Sequence, residues 1–377
     1  KSFMLSRARE AFEEKFVVLG AALAGRAAES LEQGSGIPSV TLHSLLADLE
    51  RGRLQLTNRH VIVLDEAGMI GTKAFHTLTS LINAAGSKLV AIGDPKQIQA
   101  IEAGGIFRAV SDTVGYASLT EIRRQESVED RDMIHKLMAG QSEEVIEQLT
   151  QAGQLVTSAD DQIIQHMVND WYANRDADRP GESLMLSGTK ADATALNLYA
   201  RSLMKDDHRL HSEVLVSTEH GERDICVGER LMFTRNNKEL GVKNGMLGTL
   251  VGWHFDSLTS GLSLTIELDT GKTIEFDPAD YGHLEYGYAV NLHKAQGLTV
   301  DNANILLTTS MLDREWAYVA CSRHRKRLRV FSPESMGDDL THNMARSRQK
   351  NLASDFAFEN MTRNTAPMHI KEAELAP

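Results

Sequence analysis

Short apolar runs, each ending in a polar cluster, dominate the hydrophobic pattern of the first part of the chain. Residues 61–64 read Val-Ile-Val-Leu and precede Asp-Glu-Ala-Gly, and residues 88–92 precede Asp-Pro-Lys-Gln after one glycine. Runs of this length bounded by turn residues are typical of buried parallel strands. In open α/β sheets, ligand-binding residues project from the carboxyl ends of such strands. The pattern therefore predicts a parallel sheet with a functional edge at residues 65–68 and 93–97.

Helical and strand-like patterns alternate over residues 1–115. This alternation implies right-handed βαβ units and a parallel sheet. Residues 116–234 begin a second block of the same kind, with strands expected at 184–187 and 230–233. The fold class that follows is α/β, with two nucleotide-binding sheets built in the same way.

The pattern changes over residues 235–286, where glycines recur and apolar and polar residues alternate, as at 262–268. Short antiparallel strands with frequent turns predict a small β-barrel insertion. The α/β pattern then resumes over 287–332. We expect the polar residues 333–377 to form a tail that is partly helical or flexible.

Composition limits the classes of protein that the chain can belong to. Its 377 residues suffice for two or three domains, and no run reaches the length of a membrane span or resembles a secretory signal. The two cysteines, Cys226 and Cys321, lack metal-ligand spacing, and we expect a reducing bacterial cytoplasm and no membrane insertion. The net charge of −12 argues against a surface covered in basic patches but allows a local track for nucleic acid.

The two polar clusters match the magnesium-holding and sensing strands of a nucleoside triphosphatase. Lys1 and Ser2 have the form of the last two residues of a phosphate-binding loop, in which Lys reaches the β- and γ-phosphates and the hydroxyl binds Mg²⁺. The glycines of that loop would lie before Lys1. A chain that begins with Lys in this way is expected to be a fragment, and ATP and Mg²⁺ are the expected cofactors.

Together, the ordered motifs resemble superfamily 1 DNA helicases with two RecA-like domains and an SH3-like insertion, of the RecD-like branch. Within that branch they are similar to the helicase part of TraA-type conjugative transfer relaxases. The resemblance covers roughly residues 1–332 and rests on six motifs. They are Gly-Ala-Ala-Leu-Ala-Gly-Arg-Ala-Ala-Glu, Asp-Glu-Ala-Gly-Met-Ile-Gly-Thr, Gly-Asp-Pro-Lys-Gln-Ile-Gln-Ala, Gly-Val-Lys-Asn-Gly-Met-Leu-Gly-Thr, His-Lys-Ala-Gln-Gly-Leu-Thr-Val-Asp and Tyr-Val-Ala-Cys-Ser-Arg-His-Arg.

The resemblance implies roles for five residues in ATP hydrolysis. Asp65 would hold Mg²⁺ and Glu66 would orient and deprotonate the attacking water. Gln97 would sense the γ-phosphate, while Asp94 would brace its turn. Arg124, which precedes Gln125 in a Leu-Thr-x-x-x-Arg-Gln motif, and Arg323 would contact the γ-phosphate, because a guanidinium fork stabilises charge spread over phosphoryl oxygens.

Other positions would link the nucleotide to DNA or contact DNA directly. Gln296 and Gly297 carry most of the match to the motif that connects nucleotide and DNA, and His293 and Thr299 beside them are expected phosphate-backbone contacts. In the first block the expected DNA contacts are Arg26, Thr41 and His43. Residues 24–28 also have the pattern of a well-packed helix start, and the two interpretations are compatible. We interpret the basic run at 324–329 as a solvated face, with some DNA contact possible.

The resemblance implies a motor that hydrolyses ATP to move along single-stranded DNA, 5′-to-3′, in company with other conjugative transfer proteins. Two alternatives stay open. One is a catalytically inactive module with the helicase fold that binds single-stranded DNA or acts as a scaffold. The other is an exonuclease subunit that resembles RecD, which a nuclease carboxylate cluster would distinguish. No such cluster stands out beyond the nucleotide site.

Overall fold

A computed structural model describes residues 1–97, 106–255, 261–295, 297–308 and 311–349. The first part is a four-stranded parallel sheet with strand order β2-β1-β3-β4. Its strands are β1 (Val17–Ala22), β2 (Ser39–Thr41), β3 (His60–Asp65) and β4 (Lys88–Ala91). The helices around it are α1 (Ser2–Glu13), α2 (Gly25–Ser35), α3 (Leu42–Glu50), α4 (Thr72–Ala84) and α5 (Ile106–Val114).

The expected buried strand at 61–64 is confirmed, since each of its four residues is at most 1% exposed. Strand β3 pairs with β1 on one side and with β4 on the other, both in parallel register. A central strand covered on both faces needs a continuous apolar run rather than an alternating one. The sheet therefore places the carboxyl ends of β3 and β4 side by side.

The second part contains a five-stranded parallel sheet with strand order β14-β6-β15-β16-β5. Its strands are β5 (Leu155–Ser158), β6 (Ser183–Ser187), β14 (Ala289–Asn291), β15 (Val300–Leu306) and β16 (His324–Pro333). Its helices are α6 (Val128–Ala139), α7 (Ser142–Gln151), α8 (Ile163–Asn174), α9 (Lys190–Asp206), α10 (Arg314–Cys321) and α11 (Asp339–Ala345). Helix α6 begins after Ser127, whose hydroxyl caps Asp130 N–H, and ends at Gly140 with φ 78°.

An antiparallel region separates β6 from β14 along the chain. A five-stranded sheet, β12-β11-β10-β9-β13, lies beside the hairpin formed by β7 and β8. The strands are β7 (His211–Thr218), β8 (Gly221–Val227), β9 (Arg230–Phe233), β10 (Leu247–Phe255), β11 (Leu262–Leu268), β12 (Thr273–Phe276) and β13 (Leu284–Tyr286).

The expectation that residues 230–233 belong to a parallel sheet is wrong. Strand β9 pairs antiparallel with both β10 and β13, so the antiparallel region begins at β7 rather than at residue 235. All four residues of β9 are buried. A short, fully buried strand has no alternation in its sequence, and its partners cannot be read from it.

The beginning of the polar tail is also more ordered than its composition indicates. Helix α11 places Leu340 and Met344 in the same hydrophobic core as α6 and α10. Residues 350–377 lie outside the described part of the chain. Across the described ranges, no helix has both the length and the apolar character that crossing a membrane requires.

Candidate functional site

The carboxyl end of β3 carries the expected acidic pair. Asp65 is the last residue of the strand and is 5% exposed, and Glu66 follows with φ 52°. The Glu66 N–H donates to Asp65 Oδ1 at 2.7 Å. A left-handed backbone at a residue other than glycine costs about 1–2 kcal/mol, so the surrounding fold must hold this turn.

The turn after β3 packs directly against the turn after β4. A Cβ atom added to Gly93 would lie 2.8 Å from Gly68 N, and one added to Gly68 would lie 3.0 Å from Asp94 O. The Ala67 N–H also donates to Ile92 O at 2.8 Å. Glycine in both motifs is therefore required by the close approach of two backbones.

Lys1 lies against the acidic pair. Its Nζ is 2.5 Å from Asp65 Oδ1 and 3.4 Å from Glu66 Oε1. Burial lowers the pKa of Lys1, but Glu66 and Asp65 outweigh burial and raise the pKa above its usual value. Burial raises the pKa of Asp65, with Lys1 opposing that effect. The ammonium group and the carboxylates thus form one coupled charge cluster.

The carboxylate of Asp94 holds the turn that contains Gln97. Lys96 N–H donates to Asp94 Oδ1 at 2.9 Å, and Gln97 Nε2 donates to Asp94 Oδ2 at 3.4 Å. The hydroxyl of Tyr318, on α10, donates to the same Oδ2 at 2.7 Å. Asp94 therefore braces its turn, as expected, and also joins the first sheet to the second part of the chain.

The segment that begins the second part of the chain positions Arg124. Gln125, 2% exposed, donates from Nε2 to the carbonyls of Ser322 and His324 at 3.2 and 2.9 Å. Arg124 Nη1 donates to Ser322 O at 2.8 Å. The segment before α6 is thus fixed to the end of α10, and Arg124 lies beside Arg323.

Arg323 is 4% exposed and is held by main-chain oxygens. Its Nε donates to Val319 O at 2.8 Å and its Nη1 to Leu298 O at 3.3 Å. Burial and the neighbouring Arg124 lower the pKa of Arg323 to about 10. In the described part of the chain, this guanidinium has no carboxylate as a hydrogen-bond acceptor.

The acidic pair and the two arginines act on one another across the cleft between the sheets. Burial lowers the pKa of Arg124, and the charges of Tyr318 and Glu66 oppose that shift. Glu66 also raises the pKa of Arg323 against the effect of burial. Two guanidinium groups from the second part of the chain therefore lie within electrostatic reach of the Glu66 carboxylate of the first part.

The other residues expected at the nucleotide site are Ser2, Gln296 and Gly297. A Cβ atom added to Gly34 of α2 would lie 2.8 Å from Ser2 Oγ, so the Ser2 hydroxyl faces α2 rather than forming part of the charge cluster. Gly297 is exposed with φ 79°. Gln296 lies outside the described residues.

The donors at this edge suit a hard cation. Magnesium prefers carboxylate, hydroxyl and water oxygens, and Asp65 presents a buried carboxylate that already faces the positive charge of Lys1. The chemistry of Asp65 therefore fits the expected Mg²⁺, and Asp65 is better placed than Ser2, the other expected ligand.

Two family models match separate parts of the chain. The model described as "AAA domain" matches residues 1–160, and the "Viral superfamily 1 RNA helicase core domain" matches residues 224–332. The conjugal transfer protein TraA of Sinorhizobium fredii is 36% identical over 333 residues, which are 88% of this chain. The chain is a superfamily 1 helicase domain of the TraA type.

More distant relatives agree with this family. The RecBCD enzyme subunit RecD of Mycobacterium tuberculosis is 24% identical over 341 residues, covering 79% of the chain and 54% of that protein. A crystal structure of Bacteroides Pif1 helicase in complex with ADP-AlF3 and single-stranded DNA matches with a TM-score of 0.57 and 18% identity, covering 96% of this chain and 91% of that one. This likeness confirms the α/β fold with parallel sheets. The chain spans 30% of the length of the S. fredii TraA protein.

The expected DNA contacts of this TraA-type domain lie in different surroundings. Arg26, at the start of α2, donates from Nη1 to Gly245 O at 3.0 Å and is half-buried. The Thr41 hydroxyl caps α3 by accepting Ser44 N–H at 3.2 Å, and His43 is exposed. Only His43 is therefore freely accessible, and Arg26 joins α2 to the antiparallel region.

In the second part of the chain, His293 and Thr299 are half-buried on either side of the exposed Gly297. They lie in the loop that connects β14 to β15, at the carboxyl end of β14. Their roles in DNA contact remain predictions.

The basic run at 324–329 is only partly a solvated face, since Lys326 is exposed and Arg325, Arg327 and Arg329 are half-buried. Its members form ion pairs with carboxylates of other segments, and His324 is buried beside Asp130. The pairs are Arg325 with Glu182 and Asp301, Lys326 with Asp301, and Arg327 and Arg329 with Asp170. These carboxylates are remote in sequence, so composition alone could not reveal them.

Sequence reasoning missed Tyr318 as a member of this site. Tyr318 begins the motif Tyr-Val-Ala-Cys-Ser-Arg, which ends with Arg323. Tyr318 lies on α10, and Arg323 follows that helix. That shared motif was the available signal. The contact with Asp94 depends on how the two sheets meet, which the motif does not encode.

Proposed function

We propose that this domain is an ATP-dependent helicase or translocase that moves along single-stranded DNA in the 5′-to-3′ direction. The observation that carries the proposal is that the turn after β4 meets α10, with the Tyr318 hydroxyl bonded to Asp94 at 2.7 Å. This contact joins the two parts of the chain where Arg124 and Arg323 lie within electrostatic reach of Glu66. Arg323 is buried and Arg124 is exposed, and both are bound to main-chain oxygens, which leaves their positive charge available for an anionic ligand. Such a pair suits the γ-phosphoryl group of ATP.

In this proposal each charged residue has a separate task. Glu66 accepts the proton of the water that attacks the γ-phosphorus, and the bond between that phosphorus and the β-γ bridging oxygen breaks. Lys1 exchanges its contact with Asp65 for the phosphates. Arg124 and Arg323 stabilise the charge that develops on the phosphoryl oxygens. Asp65, with Ser2, would hold Mg²⁺, which would neutralise phosphate charge when bound.

Coupling to DNA follows from where the site lies. ATP bound between two sheets favours closure and its hydrolysis permits opening, so that each sheet grips DNA in turn. Gly297 and Gln296 would connect the nucleotide to the strand, with His293, Thr299, Thr41, His43 and Arg26 as the proposed DNA contacts. The Pif1 relative holds both ADP-AlF3 and single-stranded DNA, which supports this use of the fold.

The wider role rests on the relatives. We propose that the motor drives the transfer of plasmid DNA in the bacterial cytoplasm, together with other conjugative transfer proteins, as the name of the TraA relative suggests. We also propose a RecA-like domain at 1–115, a second RecA-like domain built on the parallel sheet of β5, β6, β14, β15 and β16, and an SH3-like β-barrel insertion within the antiparallel region that begins at β7.

The test is ATP hydrolysis by the full-length protein with and without single-stranded DNA, comparing the natural protein with Glu66→Gln. We expect strong stimulation by DNA, and a loss of about 10²- to 10⁴-fold in the variant, because a neutral amide cannot accept the proton. DNA binding should stay near that of the natural protein. Glu143→Gln, at an exposed position on α7, serves as the matched control and should hydrolyse ATP normally.

Two results would contradict the proposal. Turnover unaffected by Glu66→Gln would remove Glu66 as the base. An absence of turnover in the natural protein, with single-stranded DNA still bound, would favour the alternative of an inactive helicase-fold module.

A further inference from the structure

The turn of residues 94–97 is held from the second part of the chain at two points. The Tyr318 hydroxyl donates to Asp94 Oδ2 at 2.7 Å, and Gln349 Nε2 donates to Pro95 O at 3.0 Å. Both donors reach across the cleft to the loop that carries Gln97. The turn is therefore held by hydrogen bonds from both parts of the chain.

The two donors are fixed to the same helix. Tyr318 lies within α10 and is 9% exposed. Gln349 ends a segment, residues 346–349, that we call the strap. The Ser347 hydroxyl and the Arg348 N–H of the strap both donate to Glu315 of α10, at 2.6 and 3.1 Å. A displacement of α10 would therefore disturb both contacts with the turn.

One oxygen of Asp94 serves two donors. Asp94 Oδ2 accepts the Tyr318 hydroxyl at 2.7 Å and the Gln97 amide at 3.4 Å. The two donors share the negative charge of this oxygen, so the bond from Tyr318 weakens the longer bond from the Gln97 amide. If Tyr318 withdrew, Asp94 would bind the Gln97 amide more strongly and keep it from the nucleotide.

We propose that Tyr318 is a positioning residue that controls Gln97 through Asp94 and thereby couples the position of α10 to contact with the γ-phosphate. The inference rests on the proposed ATP hydrolysis. Closure of the cleft brings Tyr318 to Asp94 and frees Gln97 for the phosphate, and opening reverses the exchange. Burial and the Asp94 carboxylate both raise the pKa of Tyr318, so the hydroxyl keeps the proton that this bond requires.

The test compares Tyr318→Phe with Tyr172→Phe in the full-length protein. Tyr172 of α8 also donates its hydroxyl to an aspartate, Asp207, which directly follows α9. We expect Tyr318→Phe to lower the DNA-stimulated kcat about 10- to 100-fold, with KM for ATP changed less than about threefold. Tyr172→Phe should leave both constants near those of the natural protein.

A double-variant cycle separates positioning from general damage. If Tyr318 acts through Gln97, then adding Tyr318→Phe to Gln97→Ala should lower kcat by less than about twofold more. If the fold-loss in kcat of the double variant equalled the product of the losses in the two single variants, the proposal would be overturned. An unchanged kcat in Tyr318→Phe alone would also overturn it.

A measurement without turnover keeps this inference distinct from the proposed hydrolysis. Lys96 N–H is bonded to Asp94 Oδ1, and Gln97 N–H is bonded to Asp94 O. With a non-hydrolysable ATP analogue bound, which favours the closed cleft, hydrogen exchange of the peptide spanning 94–97 should be about tenfold faster in Tyr318→Phe and unchanged in Tyr172→Phe. Unchanged exchange would overturn the inference even in an active protein. Faster exchange in a protein that does not hydrolyse ATP would support the contact between Tyr318 and Asp94 and overturn the proposed hydrolysis instead.

Discussion

Two groups of basic side chains lie near the start of β16, and they differ in the groups that bind them. Arg323 lies between α10 and β16 and, like Arg124, is bound to main-chain oxygens. The side chains on the following strand, β16, are each paired with a carboxylate. That second group consists of Arg325, Lys326, Arg327 and Arg329.

This difference in partners separates cations that can still bind an anionic ligand from cations that stabilise the fold. A buried cation is costly unless something compensates its charge, and carbonyl dipoles compensate it only in part. The arginines of the cleft therefore remain able to attract an anion. The side chains of β16 have already satisfied their charge within the fold. Counter-ions, rather than the density of basic residues, thus distinguish the two arginines proposed to be catalytic from their neighbours.

The largest effect should come from Arg323→Ala. Loss of this guanidinium removes positive charge from the γ-phosphate position, and arginines in this role contribute about 10³- to 10⁵-fold to the rate. We expect ATP turnover to fall by about 10³-fold while ATP affinity changes little. Steady-state kinetics with single-stranded DNA would measure both quantities.

Arg327→Ala is the matched control from β16 and should keep turnover within about threefold, since its partner is Asp170. Arg323→Lys keeps the charge but lacks the planar fork, and it should recover only part of the rate. An unchanged rate in Arg323→Ala would erase the distinction between the two groups.

A somewhat smaller effect should follow from Arg124→Ala. Its neighbour Arg123 provides an unusually close control, because it is 80% exposed and paired with Glu121 at 2.6 Å. We expect Arg124→Ala to lower turnover by about 10²-fold or more, and Arg123→Ala to leave it unchanged. Equal losses in the two variants would show that the assignment of the phosphate contact to Arg124 is wrong.

The sequence could predict the parts of the site that are local. Asp65, Glu66 and Gln97 follow two apolar strands directly, so the parallel sheet places them at one edge without further information. It could not predict the partners of Asp94 or of the basic run. Tyr318 and Asp94 are 224 residues apart, and their contact depends on how two separately patterned sheets meet.

The fold shows the same limit at two other places. Strand β9 is buried on both faces, and nothing in its three apolar residues, Leu231, Met232 and Phe233, distinguishes parallel from antiparallel pairing. Helix α11 has a polar sequence with only a few apolar positions, of which Leu340 and Met344 pack into the core. Two buried side chains suffice to dock a helix of seven residues, but they are too few to stand out as a periodic pattern.

The smallest effect, and the one that tests the structural side of the comparison, should come from Asp301→Asn. Burial raises the pKa of Asp301, but hydrogen bonds from Lys326 and Arg325 outweigh burial and lower the pKa to about 2. Because the folded pKa is below the ordinary value of 3.8, ionised Asp301 stabilises the fold above about pH 4, and this stabilisation is lost as the pH falls toward 2.

Urea unfolding should therefore show Asp301→Asn to be less stable than the natural protein by about 1–2 kcal/mol at pH 7, with a smaller difference at pH 3. Asp161→Asn, at an exposed position, should change the free energy of unfolding by less than about 0.5 kcal/mol at either pH. ATP turnover per folded molecule should be the same in all three proteins. If Asp301→Asn instead slowed turnover without loss of stability, the paired cations of β16 would act in catalysis, and counter-ions would no longer separate the two groups.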